Sequence, residues 1–264
     1  GGRHALGGLR ATLGGRVGKL DGVTLELGGD VGVGPALQQL ELDGLSIKLQ
    51  GQLAQGPLEL QLEVPQLRLG EARIAAGQVV AVASWRQDRR ALRARLTLPP
   101  FTGAGPRIEW PAVDGVFTVD DGALQAEARW SGPLQADLER HVVVSSRSTV
   151  VLSGRRGDTA IRGTLAAAWG ADLQAQTIEL SDLAVGATLR NPRGGTAARK
   201  AQGSVRAGLA PERAEVRLAG TLDDTGFDGR FDVQGFAAPA YGFELGVDRI
   251  DHDRYRAAGP ARAA

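Results

Sequence analysis

Residues 215–234 read Glu-Val-Arg-Leu-Ala-Gly-Thr-Leu-Asp-Asp-Thr-Gly-Phe-Asp-Gly-Arg-Phe-Asp-Val-Gln, and this stretch decides the fold class. Val216, Leu218 and Leu222 recur at even spacing, which places their side chains on one face of a β-strand. The cluster 223–226 is a turn signal, because aspartate caps turns and glycine accepts positive φ. After it, Phe227, Phe231 and Val233 share one face of a second strand. The stretch therefore predicts a β-hairpin.

A third strand follows this hairpin. Pro239 has no N–H to donate to a β-ladder, so it predicts a break in pairing. Beyond the break, Phe243, Leu245 and Val247 stand at alternate positions and predict a strand with one apolar face.

The same region resembles the AsmA family of bacterial envelope proteins. The likeness consists of a strand ending in Gly-Phe, a break with Ala-Pro, and the pattern Phe-x-Leu-x-Val-Asp-x-Ile-Asp-x-Asp-x-Tyr. His252 departs from it, since an apolar residue is expected there. The close likeness covers about forty residues. The rest of the chain resembles the family only in its alternating leucine-rich strands separated by glycine and aspartate turns. The positions that carry the close likeness are Phe231, Gly235, Phe236, Pro239, Phe243, Leu245, Val247, Asp248, Ile250, Asp251, Asp253, Arg254 and Tyr255.

The resemblance implies a function in the cell envelope. It implies the periplasmic part of an inner-membrane-anchored protein that carries phospholipid along an apolar groove and supports outer-membrane biogenesis. The expected partners are phospholipid acyl chains, the inner membrane through a segment outside this chain, and outer-membrane components. The resemblance thus implies a periplasmic location in a Gram-negative envelope.

Composition narrows the class of protein independently. The 264 residues are 42% hydrophobic with 38 glycines and 12 prolines, which indicates many short elements separated by turns. Lysine and arginine (31) balance aspartate and glutamate (30), so the chain lacks the basic excess of nucleic-acid binders. Cysteine is absent, which excludes disulfides and thiolate catalysis. Methionine is absent too, and we expect the chain to be an excerpt of a longer protein.

The clearest strand pattern lies in residues 39–69. Leucines alternate on both sides of Asp43-Gly44, and the extra residue there predicts a β-bulge that keeps the leucines on one face. Residues 178–185 repeat the pattern of residues 40–47, including the bulge site. This echo, within 39–69 and 177–190, suggests a repeated strand–bulge–strand unit.

The rest of the chain predicts further strands, roughly twenty in all, which is far above the usual four to six of a sheet. Helical turns are expected only at residues 133–140 and near 251–255. Residues 191–203 are polar and predict a loop, and Pro99, Pro100, Pro106 and Pro111 predict a loop-rich break. The predicted fold is all-β: a large, elongated, strongly twisted antiparallel sheet curled into a groove. One domain is expected over residues 1–258, with a Pro/Ala linker beginning at 259–264.

Residues that could support catalysis or hold a metal are scattered. His4, His141 and His252 lie far apart, and no pair shows metal-ligand spacing. The acidic cluster at residues 248–253 is interleaved with arginine, which favours local ion pairs over a calcium site. Asp120-Asp121 stands at a turn tip, where aspartate is expected. The sequence therefore predicts a protein that is not an enzyme and binds no cofactor or metal.

The candidate site is the long apolar stripe. A sheet with one apolar face must cover it with helices, a second sheet or a ligand, and the chain predicts almost no helix. Two hypotheses follow: a groove filled by lipid, or a sandwich or solenoid module of a surface or adhesion protein with a closed, dry core. The residues predicted to line a lipid groove are Leu40, Leu42, Leu45, Ile47, Leu49, Leu58, Leu60, Leu62, Phe231, Val233, Phe243 and Leu245.

Overall fold

The computed structural model describes residues 4–17, 20–34, 39–53, 56–70, 73–191, 195–222, 225–235 and 238–248. These residues form one large antiparallel sheet, as the alternating sequence predicts, and it has seventeen strands where roughly twenty were expected. Within the same ranges, no helix is long and apolar enough to span a membrane. The strands are β1 (His4–Val17), β2 (Leu20–Val33), β3 (Gln39–Leu53), β4 (Gly56–Gly70), β5 (Arg73–Ala76), β6 (Val79–Gln87), β7 (Arg90–Leu98), β8 (Phe101–Ala104), β9 (Arg107–Asp120), β10 (Leu124–Asp137), β11 (Val142–Arg156), β12 (Thr159–Asp172), β13 (Thr177–Asn191), β14 (Gly195–Gly208), β15 (Arg213–Leu222), β16 (Thr225–Gln234) and β17 (Ala240–Val247).

The connectivity is a meander in which neighbours in the chain are neighbours in the sheet. Strands β1 to β4 and β9 to β17 pair in sequence order. Between them, β5 and β6 lie end to end beside β4, and β7 and β8 lie end to end beside β6 and β5. At about 4.8 Å per strand, these fifteen strand positions span roughly 65 Å of sheet.

The register places apolar side chains on one face of the whole sheet, called the apolar face below. One continuous row of register partners crosses every strand position and contains only apolar residues and glycine. The adjacent row on the opposite, polar face carries Glu26, Lys48, Gln61, Arg95 and Arg129. The apolar row is Ala11, Leu27, Ile47, Leu62, Ala81, Leu96, Gly115, Trp130, Val150, Leu165, Val185, Ala201, Gly220, Phe227 and Val247.

A line of register shifts crosses most of the sheet and divides each strand into two halves. Bulges fall at 7–8, 44–45, 111–112, 146–147 and 182–183, and the breaks between β5 and β6 and between β7 and β8 continue the line. The shifts recur about every 35 residues, which is the length of one hairpin and typical of a repeat architecture. We call this line the crease.

The crease holds the buried core. Val113 is fully buried, and Ile108, Trp110 and Leu134 pack against it. A second cluster of Val64, Ala76 and Val79 adjoins it. Prolines are tolerated where a ladder is already interrupted, which explains why Pro65, Pro99, Pro100, Pro111 and Pro133 stand along this line.

The structure corrects three predictions. Residues 133–140 are not helical: they continue β10 to Asp137 and then turn. Residues 195–203 are not a loop but the first part of β14. Pro111 lies inside β9, at the bulge, instead of in a break.

Other predictions are confirmed. The bulge predicted at Asp43-Gly44 appears as a register shift at 44–45 between β2 and β3, and a shift at 182–183 between β12 and β13 matches it. The break at Pro239 separates β16 from β17. The helical turn near 251–255 and the linker at 259–264 lie outside the described residues.

Candidate functional site: the open apolar face

Large apolar side chains on the apolar face are partly exposed. Leu60 is 37% exposed, Phe117 42% and Phe231 42%. The described residues form a single sheet with no helix, so they place no second layer over this face. An isolated exposed leucine is ordinary, but a contiguous apolar surface of this kind makes the face a candidate binding surface.

A first apolar cavity of about 420 Å³ opens on this face across β2 to β7. Alanine side chains form its floor on β6 and β7, where register places Ala83 opposite Leu60 and also opposite Ala94. Larger residues border these small ones, so the cavity is the volume that leucines would otherwise fill. Its apolar lining is Leu25, Ile47, Leu49, Leu60, Leu62, Ala81, Val82, Ala83, Ala94 and Leu96.

A second apolar cavity of about 260 Å³ lies on β15 to β17. Gly229 contributes no side chain at its centre, between Leu218 on β15 and Leu245 on β17. Phe231 and Phe243 are cross-strand partners that supply the aromatic part of the lining. This cavity is the more aromatic of the two.

Seven of the twelve predicted groove residues line these cavities. Four belong to the first cavity (Ile47, Leu49, Leu60 and Leu62) and three to the second (Phe231, Phe243 and Leu245). The structure does not bring the two groups together, because β9 to β14 lie between them. They share only the apolar face and its continuous row.

The other five predicted residues lie on the sheet without lining either cavity. Leu45 packs against the second buried cluster of the crease. Leu40 and Leu42 pair across strands with Leu69 and Leu67. Two more have aromatic cross-strand partners: Leu58 lies opposite Trp85, and Val233 lies opposite Tyr241.

Sequence reasoning missed the alanines that make the first cavity. Ala81, Ala83 and Ala94 lie in strands that the alternation of the sequence predicts, but small side chains do not mark a site by themselves. The available signal was the run Val-Ala-Val-Ala at residues 80–83 beside leucine-rich strands. Only the pairing of β4, β6 and β7 shows that these alanines lie between leucines.

Charged groups on the polar face pair both along one strand and across neighbouring strands. Glu215 accepts a hydrogen bond from Arg217 Nε at 2.8 Å, and Arg230 Nε lies 3.3 Å from the same oxygen. These arginines hold the pKa of Glu215 below its ordinary value, the Arg217 hydrogen bond being the largest cause. The hydrogen bond from Arg206 to Glu179, 2.7 Å long, raises the pKa of the guanidinium. The polar face therefore remains charged and hydrated.

A wider depression of about 620 Å³ lies on the polar face, near the ends of β6 to β11. It mixes Arg86, Arg93 and Arg155 with Asp120 and Glu127. Arg155 donates to Gln125 at 3.0 Å, and Glu127 accepts from Arg129 at 2.8 Å. Mixed charge with internal pairing indicates a solvated surface more than a site for one ion.

The acidic residues singled out from the sequence serve the turns. Asp120 accepts from the N–H of Gly122 at 2.9 Å, and Asp121 from that of Ala123 at 3.0 Å. Asp248 accepts from Gly226 at 2.9 Å, and the remainder of its predicted cluster (249–253) lies outside the described residues. Within the described ranges, no three His, Cys, Asp or Glu side chains are grouped to hold a metal.

Comparison with protein-family models, with curated proteins and with solved structures finds no match.

Proposed function

We propose that the apolar face binds the acyl chains of phospholipid and that the protein carries lipid along this face. One observation carries the proposal: an unbroken apolar row crosses every strand position, and the described residues place nothing over it. The AsmA-like pattern in residues 231–255 supports the same function. On that basis we propose an envelope protein of the periplasm, anchored in the inner membrane and supporting outer-membrane biogenesis.

Acyl chains suit this surface for energetic reasons. Each buried CH₂ contributes about 0.8 kcal/mol, so a sixteen-carbon chain gains on the order of 10 kcal/mol from burial alone. The two cavities supply places where a chain sinks below the general level of the side chains. Their linings are almost entirely apolar, and they present no catalytic group to the chain.

Headgroups require a different environment from the chains. Glu244 and Arg230 are cross-strand partners beside the second cavity. A lipid whose chains lie on the apolar face can keep its headgroup in water at the margin of the sheet. The headgroup then needs no polar pocket. A phospholipid can move along the apolar row because its acyl chains exchange one set of apolar contacts for a similar one.

The closed, dry module is the competing function. A closed, dry core requires a layer that covers the apolar face, and in that case the exposure of Leu60 and Phe231 would have no function. None of the described residues supplies such a layer, so the lipid-binding function is the better supported of the two.

Site-specific photo-crosslinking tests the proposal. Probes at Ile47 and Leu60 face the apolar side, whereas probes at Lys48 and Glu59, each one residue away, face the polar side and lie outside the first cavity. We expect lipid adducts from the first pair and few from the second when the protein is crosslinked in the bacterial envelope. Equal adduct yields from both pairs, or none from Ile47 and Leu60, would overturn the proposal.

A further inference from the structure

Three consecutive turns at one end of the sheet have the same construction. They connect β10 to β11, β12 to β13 and β14 to β15, and each occupies four residues (138–141, 173–176 and 209–212). Each begins with a leucine. Each ends with a residue of positive φ: His141 at 56°, Gln176 at 53° and Glu212 at 46°. The three leucines, Leu138, Leu173 and Leu209, are called the leucine rim.

Hydrogen bonds join these turns into a ladder. The N–H of Leu173 donates to the carbonyl of His141 at 2.9 Å, and that of Leu209 to Gln176 at 2.8 Å. The N–H of Leu138 likewise donates to the carbonyl of Pro106 at 2.9 Å. The turns are thus held in line, and the backbone N–H of every rim leucine already has a partner within the protein.

The rim leucines continue the apolar face to the end of the sheet. Leu138 stands two residues after Ala136, which packs against the buried core of the crease. The rim side chains are nonetheless 51%, 61% and 68% exposed, in order along the chain. Because one hairpin separates successive turns, these leucines are about 10 Å apart along the rim.

The opposite end of the sheet has a different character. Its turns contain Asp88-Arg89, Asp120-Asp121 and Gly157-Asp158, and the described residues at those tips are polar or charged apart from Ala123 and the glycines. The two ends of the sheet therefore differ, because only the rim end carries large apolar side chains in its described turns.

We infer that the leucine rim inserts into the surface of a lipid bilayer, so that this end of the apolar face meets the membrane. The inference rests on the proposed function, because it identifies where lipid enters or leaves the apolar face. Three single leucines about 10 Å apart do not form one contiguous patch of the kind a protein partner buries. A bilayer needs no matching pocket, and it accepts a turn whose backbone groups are already bonded.

The charges near the rim indicate which bilayer it suits. Turn 138–141 carries Glu139 and Arg140, turn 173–176 carries no charged residue, and turn 209–212 carries Glu212. Binding to anionic lipid needs a cluster of lysine or arginine, and these turns contain none. Insertion is thus expected from the leucines alone, into a zwitterionic membrane.

Flotation with phosphatidylcholine vesicles tests the inference. The rim variant Leu138→Ser/Leu173→Ser/Leu209→Ser is compared with the wild type and with Val116→Ser/Val151→Ser, which removes two exposed valines from the polar face, away from both apolar cavities. We expect at least about tenfold weaker partitioning for the rim variant and less than about twofold change for the control. Circular dichroism establishes that both variants remain folded.

Two results would overturn the inference: wild-type protein that does not float with the vesicles, or a rim variant that floats as well as the control. Lipid retained by the same proteins is extracted before flotation and measured by mass spectrometry. This measurement distinguishes failure of the rim inference from failure of the proposed function. If the protein retains lipid but does not float, the inference about the leucine rim is refuted and the proposed function is not. Protein without retained lipid challenges the proposed function instead.

Discussion

Gly44 and Asp182 occupy the same place in two β-bulges of the crease. Gly44 has a φ of 63° and Asp182 a φ of 51°, and each lies where its strand gains one residue over a neighbour. Glycine adopts this conformation freely, and aspartate is among the few other residues that tolerate it. Two bulges of the crease thus need a residue with positive φ, and one uses glycine while the other uses aspartate.

This conformation predicts opposite effects at two glycines of the sheet. A Cβ at Gly44 would meet no atom within 4 Å, so Gly44→Ala should cost about 1–2 kcal/mol through the backbone alone. Gly15 also faces open space but lacks positive φ, and Gly15→Ala should be neutral or stabilising by up to about 1 kcal/mol. Urea unfolding measures both, and equal destabilisation would refute the bulge argument.

Two tryptophans of the crease should respond differently to the same substitution. Trp169 Nε1 donates to Ser148 Oγ at 2.8 Å, whereas the buried Nε1 of Trp110 has no partner in the described part of the chain. Trp169→Phe loses a hydrogen bond, while Trp110→Phe removes an unpaired donor. We expect Trp169→Phe to lower the free energy of unfolding by about 1 kcal/mol more than Trp110→Phe. Denaturant titration that ranks them in reverse order would contradict this.

Aspartate substitutions distinguish an open apolar face from a sealed core. Leu60 is 37% exposed, so Leu60→Asp keeps its charge in water and should cost about 1–2 kcal/mol in stability while weakening lipid binding. Val113 is fully buried, so Val113→Asp should unfold the protein. Circular dichroism and thermal melting report both results. A closed, dry module instead predicts that Leu60→Asp unfolds the chain too.

The ion pairs of Glu215 predict a small acid sensitivity. The pKa of the Glu215 carboxyl is lowered from its ordinary value of 4.5, chiefly by the Arg217 hydrogen bond. The ionised carboxylate therefore stabilises the folded protein fully at pH values above 4.5. This stabilisation is lost as the pH falls through the lowered pKa. The stability difference between wild type and Glu215→Gln should therefore be constant at neutral pH and shrink in acid. Glu109→Gln is the control, because Glu109 makes no ion pair with a described residue; a pH-independent Glu215→Gln difference would contradict the assignment.

Much of the fold follows from local sequence. Alternation of apolar residues determines the strands, and Asp43-Gly44 predicts its bulge because one extra residue must be accommodated without changing the face of the leucines. The helical turns predicted at residues 133–140 are wrong, because Leu134 and Ala136 fit a strand as well as a helical turn and β9 supplies the partner strand. Residues 195–203 are polar, and pairing with β13 and β15 overrides their composition.

The candidate site was less predictable than the strands. Large side chains such as Ile47 and Leu60 could be placed on one face from spacing alone. The first cavity depends on missing volume at Ala83 and Ala94, which becomes visible only when β4, β6 and β7 are in register. The separation of the two cavities likewise depends on the order of the strands in the sheet.

Filling the first cavity should block lipid without unfolding the sheet. Ala83→Phe/Ala94→Phe places two aromatic rings in a cavity of about 420 Å³, where there is room for them. Ser84→Phe is the matched control, because Ser84 lies on the polar face between Glu59 and Arg93. We expect both variants to melt cooperatively. Only Ala83→Phe/Ala94→Phe should lose bound lipid, namely the part that the first cavity holds in the wild type.

The most direct measurement is mass spectrometry of lipid extracted from the protein after detergent-free purification from a bacterial envelope. Acyl-chain binding on the apolar face predicts that wild type and Ser84→Phe retain phospholipid and that Ala83→Phe/Ala94→Phe retains less. Folded wild-type protein that is consistently free of lipid, or a filled variant that carries as much lipid as the wild type, would contradict it.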